Sequence, residues 1–354
     1  MEDFGRIMKF TDPLPHEAEI IKNYEYLEKY LPKLLGERVR IDERALGNYA
    51  FSLGLRKKVV EHWTIPGMYP LDDMAFARFI FWTGLVNFAY WLDGNPEGRK
   101  KFEFENPNGK PFSGAFALDK CFYRAFGERA ITSDMIEPHF ESMEKARIFF
   151  KGLCDIPFLE WRYWNMREAL DVLKKHFNKD PINIYEEARW DVKKLVALLV
   201  LRFPLAFGGD VTTLNLYNTS PKASGHKILS FPFYKLAKLL PVLYQGRALR
   251  PGSSLSKLVN TETIVAICDY EVPKALRHAG VLVYGEELAQ KVDTEKVIHR
   301  HSLDELAIRA ANTVANYEIL KRLENWDIVA LDFAQWSSGK ASAKPHHRTP
   351  TPAY

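Results

Sequence analysis

The sequence predicts a mainly α-helical fold. Three observations favour this class: apolar residues recur at three- and four-residue spacing, a capping box opens one of these segments, and strand-like alternation is scarce. Hydrophobic residues make up 47% of the 354 positions, which is enough for a large buried core. This composition excludes a disordered chain and a collagen-like rod.

Two segments carry the clearest helical patterns. In residues 186–203 the apolar side chains form one stripe, and Pro204 ends the pattern because proline has no amide hydrogen to donate. In residues 302–323, Ser302 and Glu305 match a capping box, in which each side chain accepts a hydrogen bond from the other residue's amide. Both segments are therefore expected to form helices with one buried face.

The same spacing predicts ten further helices. We expect them over residues 17–35, 43–62, 72–82, 115–126, 134–153, 160–176, 234–244, 261–268, 273–279 and 285–292. Short extended pieces are expected near residues 102–105, 111–113 and 227–231.

Turn-forming residues concentrate in two loops, at residues 93–109 and 208–225. The second loop is the better candidate for a boundary. We therefore expect a single domain over residues 1–354, with two lobes at about 1–205 and 226–354.

Charge and cysteine usage suggest a cytoplasmic protein. The net charge is only +4, which is weak for a dedicated nucleic-acid coat. The three cysteines are isolated and form no Cys-x-x-Cys pair, which favours a reducing compartment. The N-terminus lacks the pattern of a signal peptide, and the longest apolar run, Leu195–Leu201, is too short to span a bilayer. We expect neither a membrane partner nor direct nucleic-acid binding.

Common catalytic motifs are absent from the sequence. It contains no phosphate-binding loop, no dinucleotide fingerprint, no zinc-protease motif and no nucleophile elbow. Its histidines and acidic residues do not recur at metal-ligand spacing. These absences disfavour kinases, dehydrogenases, zinc proteases and α/β-hydrolases, and we expect no metal site.

Asp269 is the residue that stands out chemically. An apolar run that we predict to be helical ends just before it, and Pro273 suits the first turn of the next helix. Asp269 would then lie between two helices and be partly desolvated, which suits acid–base chemistry. The alternative is an ordinary helix cap.

Two further segments, around Lys235 and around Asn87, each allow two interpretations. Lys235 stands beside a predicted buried face, and it is either a surface lysine or a cation close to a carboxylate. Asn87 lies inside the aromatic segment 82–92, which is either a core helix or a surface that stacks on a planar base while the amide contacts its edge.

Seven short segments, taken in chain order, form a further pattern. They are VNFAYW (86–91), RFPLAFGGD (202–210), FYKLAK (233–238), DYEVPKAL (269–276), DELAIRA (304–310), LDFAQW (331–336) and PHHRT with the final tyrosine (345–354). Together they resemble the queuosine 5'-phosphate N-glycosylase/hydrolase family, also called queuosine salvage proteins. Each segment is a weak signal alone, and their order strengthens the resemblance, which covers roughly residues 80–354. The resemblance also implies a folded C-terminal segment, where the residues alone suggest a frayed end.

The resemblance implies an activity and a fold. The family hydrolyses the N-glycosidic bond of queuosine 5'-phosphate and releases the base queuine for salvage into tRNA. Its fold is all-α and similar to that of helix–hairpin–helix DNA glycosylases. Neither a metal nor an organic cofactor is implied, and the partner is a small-molecule substrate.

The resemblance also implies roles for individual residues. Asp269 would stabilise positive charge on the ribose and act on water. Lys235 would bind the phosphate or pair with Asp269, and Asp210 or Asp332 would bind the amine of the queuine arm. The remaining predicted substrate contacts are Asn87, Phe88, Trp91, Phe233, Tyr234, Tyr270, Trp336, His347 and Arg348.

The chain departs from the family pattern at several positions. Glu271 stands where the family has arginine, Leu236 and Lys238 replace arginine and glutamine, Gly209 precedes Asp210 where arginine is expected, and residues 211–226 resemble an insertion. Two alternatives therefore stay open: a helix–hairpin–helix DNA glycosylase or DNA-binding protein, and a catalytically inactive nucleotide-binding member of the family.

Overall fold

The computed structural model of the protein describes residues 12–92, 100–216 and 227–354. Helices account for most of the regular structure in these ranges, and the strands are short. The predicted mainly α-helical class is confirmed.

Fifteen α-helices occur in the described ranges. They are α1 (Pro15–Tyr30), α2 (Pro32–Leu35), α3 (Glu43–Gly54), α4 (Asp73–Gly84), α5 (Ala115–Phe126), α6 (Ser133–Ile136), α7 (Met143–Phe149), α8 (Leu159–His176), α9 (Ile182–Glu187), α10 (Val192–Arg202), α11 (Lys235–Ala248), α12 (Glu271–His278), α13 (Glu286–Asp293), α14 (Leu303–Arg322) and α15 (Ile328–Ala341). Short 3-10 turns cover Glu137–His139 and Thr261–Thr263, and a π-helical turn covers Pro204–Gly208.

The strands form antiparallel pairs. The pairs are β1 (Val39–Ile41) with β8 (Leu282–Tyr284), β2 (Trp91–Leu92) with β3 (Lys100–Lys101), β4 (Glu103–Phe104) with β5 (Phe112–Ser113), and β6 (Val211–Leu216) with β7 (Lys227–Pro232). The three predicted extended pieces fall on β4, β5 and β7 and are confirmed. The predicted loops at 93–109 and 208–225 lie partly outside the described residues.

The described chain groups into two compact units. Unit 1 is drawn from Met1–Val60, Asp210–Phe233 and Thr261–Pro350, and unit 2 from Glu61–Gly209, Tyr234–Asn260 and Thr351–Tyr354. The division into lobes at about 1–205 and 226–354 stays a prediction.

The core of unit 1 includes α14. The hydroxyl of Ser302 accepts a hydrogen bond from the amide of Glu305 at 3.3 Å, as the capping box predicts. The Glu305 carboxylate accepts instead from the amide of His301, so the reciprocal half of the box is shifted by one residue. Buried alanines at 307, 310, 311 and 315 give α14 a smooth surface against α1 and α3.

Aromatic side chains fill the core of unit 2. Phe81 and Phe203 meet edge to face at 5.6 Å between ring centroids, and Tyr185 stacks on Tyr244 at 4.5 Å. Packing of α4 against α11 brings the end of one helix close to the start of the other.

The predicted helix over residues 261–268 is wrong. After the turn Thr261–Thr263 the chain is buried but not helical. The fully buried carboxylate of Glu17 on α1 accepts hydrogen bonds from the amides of Val265 at 3.0 Å and Ala266 at 3.1 Å. Because a side chain satisfies these amides, the segment needs no helical hydrogen bonds. Asp269 therefore does not follow a helix, and the predicted helix–turn–helix junction is wrong on its N-terminal side.

Several other boundaries differ from the predictions. The helix predicted over 43–62 ends at Gly54, and the one over 134–153 divides into α6, a 3-10 turn containing Pro138, and α7. The helix predicted over 186–203 begins at Val192, after the capping side chain of Asp191. The other predicted helices are confirmed to within a few residues, apart from a break at Leu31, whereas α15 was not predicted.

Candidate active site

Asp269 lies between the buried non-helical run and α12. Its Oδ1 accepts hydrogen bonds from the amides of Glu271 and Val272, both at 2.9 Å. Asp269 therefore caps α12, as the capping alternative predicted. The two amides also hold the half-buried carboxylate in one orientation, which a catalytic carboxylate requires.

Arg309 on α14 is 1% exposed and connects three segments of unit 1. Its two terminal nitrogens each donate to one oxygen of the Asp210 carboxylate at 2.7 Å, and its Nε donates to the carbonyl of Cys268 at 3.2 Å. Its guanidinium lies 4.0 Å from the centroid of the Phe233 ring. This network ties Asp210 and Phe233 to the residue that precedes Asp269.

The C-terminal segment packs beside the start of α12. The rings of Tyr270 and His346 lie 4.4 Å apart with 31° between their planes. His347 is 2% exposed, and the backbone carbonyl of Arg348 accepts from the amide of Ile298 at 2.8 Å. The predicted folded C-terminal segment is confirmed.

Helix α15 packs against α12 and carries two predicted site residues, Asp332 and Trp336. Both are half-buried, and the ammonium of Lys340 lies 4.8 Å from the centroid of the Trp336 ring. Gly339 allows the close approach of the helices, because a Cβ atom there would lie 2.4 Å from the carbonyl oxygen of Glu271. A side chain at position 339 would push α15 away from α12.

Two predicted site segments meet in unit 2. Lys235 opens α11 and is 5% exposed, and its ammonium donates to the backbone carbonyl of Asn87 at 3.1 Å. The Oδ1 of Asn87 accepts a hydrogen bond from the hydroxyl of Tyr90 at 2.9 Å. Tyr234 has φ 45°, in the left-handed region, and turns the chain into α11. Lys235 is therefore a buried cation rather than a surface lysine.

The segment around Asn87 is held by Arg162 on α8. Its fully buried guanidinium donates to the carbonyls of Val86 and Phe88 and lies 4.3 Å from the centroid of the Phe88 ring. Burial lowers the pKa of Arg162 to about 10. Phe88 is 1% exposed, whereas Trp91 is half-buried with the ammonium of Lys101 at 4.9 Å from its ring centroid.

The family model described as queuosine salvage protein matches residues 68–354 of this chain. The chain belongs to this family. Proteins named queuosine 5'-phosphate N-glycosylase/hydrolase in three organisms are also similar to this chain. The Sphaerobacter thermophilus protein is 26% identical over 90% of this chain and 94% of its own length. The Nematostella vectensis protein is 24% identical over 82% of this chain and 86% of its own, and the Bos taurus protein is 24% identical over 68% and 65%.

Glu271 stands where members of the family were expected to carry arginine. It is 5% exposed, and its carboxylate lies 3.5 Å from the ammonium of Lys274, one turn along α12. The ammonium of Lys274 therefore compensates the negative charge of the carboxylate at position 271.

Sequence reasoning missed four residues that shape the site. Arg162, Arg309, Glu17 and Gly339 have no motif that distinguishes them from ordinary helix residues. Arg309 lies inside the segment DELAIRA that carried the resemblance, which was the one available signal. Their importance comes from partners distant in sequence.

Two further observations concern the class of protein. In the ranges that the structure describes, no helix is both long enough and apolar enough to cross a membrane. Among the same residues, His, Cys, Asp and Glu side chains form no group of three or more that could hold a metal ion.

Proposed function

We propose that the protein hydrolyses the N-glycosidic bond of queuosine 5'-phosphate and releases queuine for tRNA modification. The observation that carries this proposal is the family match over residues 68–354, supported by three relatives whose names state the reaction. Water is the second reactant, and the sugar leaves as ribose 5-phosphate. The proposal includes a cytoplasmic location and a single functional domain over residues 1–354.

Asp269 is the proposed catalytic carboxylate. Cleavage of an N-glycoside develops positive charge on the ribose, and a fixed carboxylate stabilises that charge and orients the attacking water. The two amide hydrogen bonds at 2.9 Å support this role because they prevent the carboxylate from rotating as charge develops. Queuine is a 7-deazaguanine and lacks the N7 atom that purine hydrolases protonate, so its other polar edges would be stabilised instead.

Two carboxylates are proposed to contact the queuine arm differently. The charge of Asp210 is balanced by Arg309 at 2.7 Å, so Asp210 suits a neutral hydroxyl of the arm. Asp332 on α15 suits the cationic amine.

The remaining proposed contacts follow from burial and chemistry. Lys235, a buried cation, is proposed to bind the 5'-phosphate or to pair with Asp269, and His347 and Arg348 are further phosphate candidates. Base contacts are proposed for the side-chain amide of Asn87 and for the aromatic residues Phe88, Trp91, Phe233, Tyr234, Tyr270 and Trp336. Trp91 is a better stacking platform than Phe88, because Phe88 is nearly inaccessible.

The test is release of free base from three substrates. Purified protein is incubated with queuosine 5'-phosphate, queuosine or guanosine 5'-phosphate, and products are separated by chromatography and identified by mass. We expect queuine from the 5'-phosphate, with loss of at least about a thousandfold in rate for Asp269→Asn. Asp155→Asn is the matched control, because Asp155 is exposed.

Each outcome has a separate meaning. Equal rates for Asp269→Asn and the wild type would exclude Asp269 as the catalytic carboxylate. No release from any substrate, together with tight binding of queuosine 5'-phosphate, would favour the inactive nucleotide-binding alternative. Base release from DNA would favour the glycosylase alternative.

A further inference from the structure

Unit 2 contains a cavity of about 660 Å³ that the proposed reaction does not use. Its walls are the β4–β5 pair, one face of α5, and the loops at 66–67 and 151–153. Among the described residues that line it, none is a predicted site residue. Its volume lies within the range of about 300–1,000 Å³ that small-molecule sites occupy.

Hydrogen bonds within unit 2 fix the walls of this cavity. The ammonium of Lys120 donates to the carbonyl of Gly67 at 2.7 Å, and the guanidinium of Arg124 donates to the carbonyl of Lys151 at 2.7 Å. A Cβ atom at Gly152 would lie 2.3 Å from the backbone of β4, so only glycine allows this close approach. The cavity is therefore built by specific contacts between its walls.

Among the described residues that line the cavity, three are cations, namely Lys120, Arg124 and Lys151, and one is an acid, Glu105. In the described part of the chain, none of the three cations lies within 4 Å of a carboxylate oxygen. Lys120 and Arg124 are four residues apart on α5, where like charges repel each other. This repulsion is unfavourable unless an anion compensates it.

Aromatic rings hold two of the cations in position. The ammonium of Lys120 lies 5.4 Å from the centroid of the Phe112 ring, and the guanidinium of Arg124 lies 5.0 Å from that of Phe104. Burial also lowers the pKa of Lys120, so a bound anion would stabilise its charged form. Both side chains lie against ring faces rather than carboxylates.

We propose that this cavity binds a phosphate monoester with a sugar-sized organic group. A phosphate dianion offers three acceptor oxygens and about two negative charges, which matches several donors better than a carboxylate does. The cavity is larger than a phosphate group, which leaves room for a polar organic group beside Asn108. The ligand could be a free sugar phosphate or the 5'-phosphate of an RNA end.

Site-resolved acetylation of lysines tests this proposal on the full-length protein. We expect ribose 5-phosphate, but not ribose, to slow acetylation of Lys151 about tenfold, since a bound phosphate would pair with its ammonium. Exposed Lys175 on α8 serves as the internal reference and should be acetylated at an unchanged rate. A 5'-phosphorylated RNA oligonucleotide forms the second arm.

A variant pair provides the independent test. Lys151→Glu should weaken binding of ribose 5-phosphate to this site about tenfold in calorimetry, whereas Lys175→Glu should leave it unchanged. Unaltered acetylation of Lys151 with every phosphate, or equal affinity of both variants, would overturn the proposal. Protection by the RNA oligonucleotide alone would identify an RNA end as the source of the phosphate.

The proposed catalysis and the cavity are separable by experiment. Lys151→Glu should still release queuine, and Asp269→Asn should still show protection of Lys151. Loss of queuine release in Lys151→Glu would contradict the independence of the two sites.

Discussion

Two regions of the molecule bury charge in opposite ways. Around α14 in unit 1, Arg309 and Asp210 form a two-point ion pair at 2.7 Å, with 1% and 7% of their side chains exposed. In the α5–α8 part of unit 2, the buried Arg162 is surrounded by backbone carbonyls, and the buried Asp119 has the hydroxyl of Tyr69 at 3.0 Å as its hydrogen-bond donor. The first region therefore compensates charge with charge, whereas the second compensates it with dipoles. The contrast is between regions and not between units, because unit 2 also holds a buried ion pair at the start of α4.

This difference determines how each region responds to pH. Burial raises the pKa of Asp119 to about 7, although the hydrogen bond from Tyr69 opposes the shift. This buried carboxylate without a cation is thus partly protonated near neutral pH. Hydrogen bonds from neutral groups position a buried ion, but they compensate its lost hydration only in part.

The largest expected effect comes from breaking the ion pair of Arg309 with Asp210. Asp210→Ala should lower the free energy of unfolding by about 3–5 kcal/mol, because the buried Arg309 would lose its two-point partner, and the carboxylate of Glu305 lies farther away, at 3.6 Å. Urea unfolding measures this, and Asp210→Ala with Arg309→Met should recover most of the loss. Asp134→Ala, which removes an exposed ion pair with Lys179, is the control and should cost about 1 kcal/mol or less.

If the double variant is as unstable as Asp210→Ala alone, the charge of Arg309 is not the cause. The loss would then reflect packing around the carboxylate.

The next largest effect tests Asp119, whose carboxylate is bound by the hydroxyl of Tyr69 rather than by a cation. Because the folded-state pKa of Asp119 is about 7 and lies above its unfolded value of 3.8, its protonated form stabilises the fold. This contribution is complete below about pH 4 and is lost as pH rises through 7, by up to about 4 kcal/mol. Unfolding free energies of the wild type and Asp119→Asn, compared from pH 4 to 8, measure it, and parallel curves would contradict it.

A smaller effect is expected for the carbonyl-bound arginine. Arg162→Met should lower the free energy of unfolding by about 2 kcal/mol, because carbonyls lose a donor but a desolvated cation is also removed. The same variant should weaken binding of queuosine 5'-phosphate, since Arg162 positions the segment around Asn87. A loss of stability larger than that of Asp210→Ala would reverse the comparison between the two regions.

The smallest effect concerns the start of the helix that carries Arg309. Ser302→Ala removes the cap of α14 and should cost about 1 kcal/mol in the free energy of unfolding. Ser256→Ala, at an exposed serine outside any helix, is the control and should change it by less than about 0.5 kcal/mol. Equal values for the two variants would mean that the cap contributes nothing to unit 1.

Local patterns in the sequence predicted most helices but few of the long-range contacts. The buried stripe of α10 follows from the spacing of its apolar residues, whereas the single buried face expected for α14 is wrong, because α14 is buried on every side from Glu305 to Thr313. The apolar run 264–268 was mistaken for a helix because nothing local indicates that Glu17, far away in sequence, satisfies its amides. Helix α15 was missed because its buried apolar residues are confined to its first turn, at 328–331, and are followed by Gln335 and Gly339 rather than by an apolar stripe.

The same limit applies to the candidate site. Asp269 and Lys235 were singled out from their segments, yet the partners that hold them, two amides and the carbonyl of Asn87, depend on the fold. Arg309 and Arg162 look like ordinary helix residues until their burial is known.

The pairing of β1 with β8 sets an order of events during synthesis. Strand β1 and helix α1 leave the ribosome early, but β1 pairs with Leu282–Tyr284, and α1 packs against β7 and α14. Most of unit 2 is translated in between. The apolar side chains Ile20 and Leu27 of α1 must therefore wait for partners made much later, which makes nascent unit 1 slow to assemble and a natural client for chaperones.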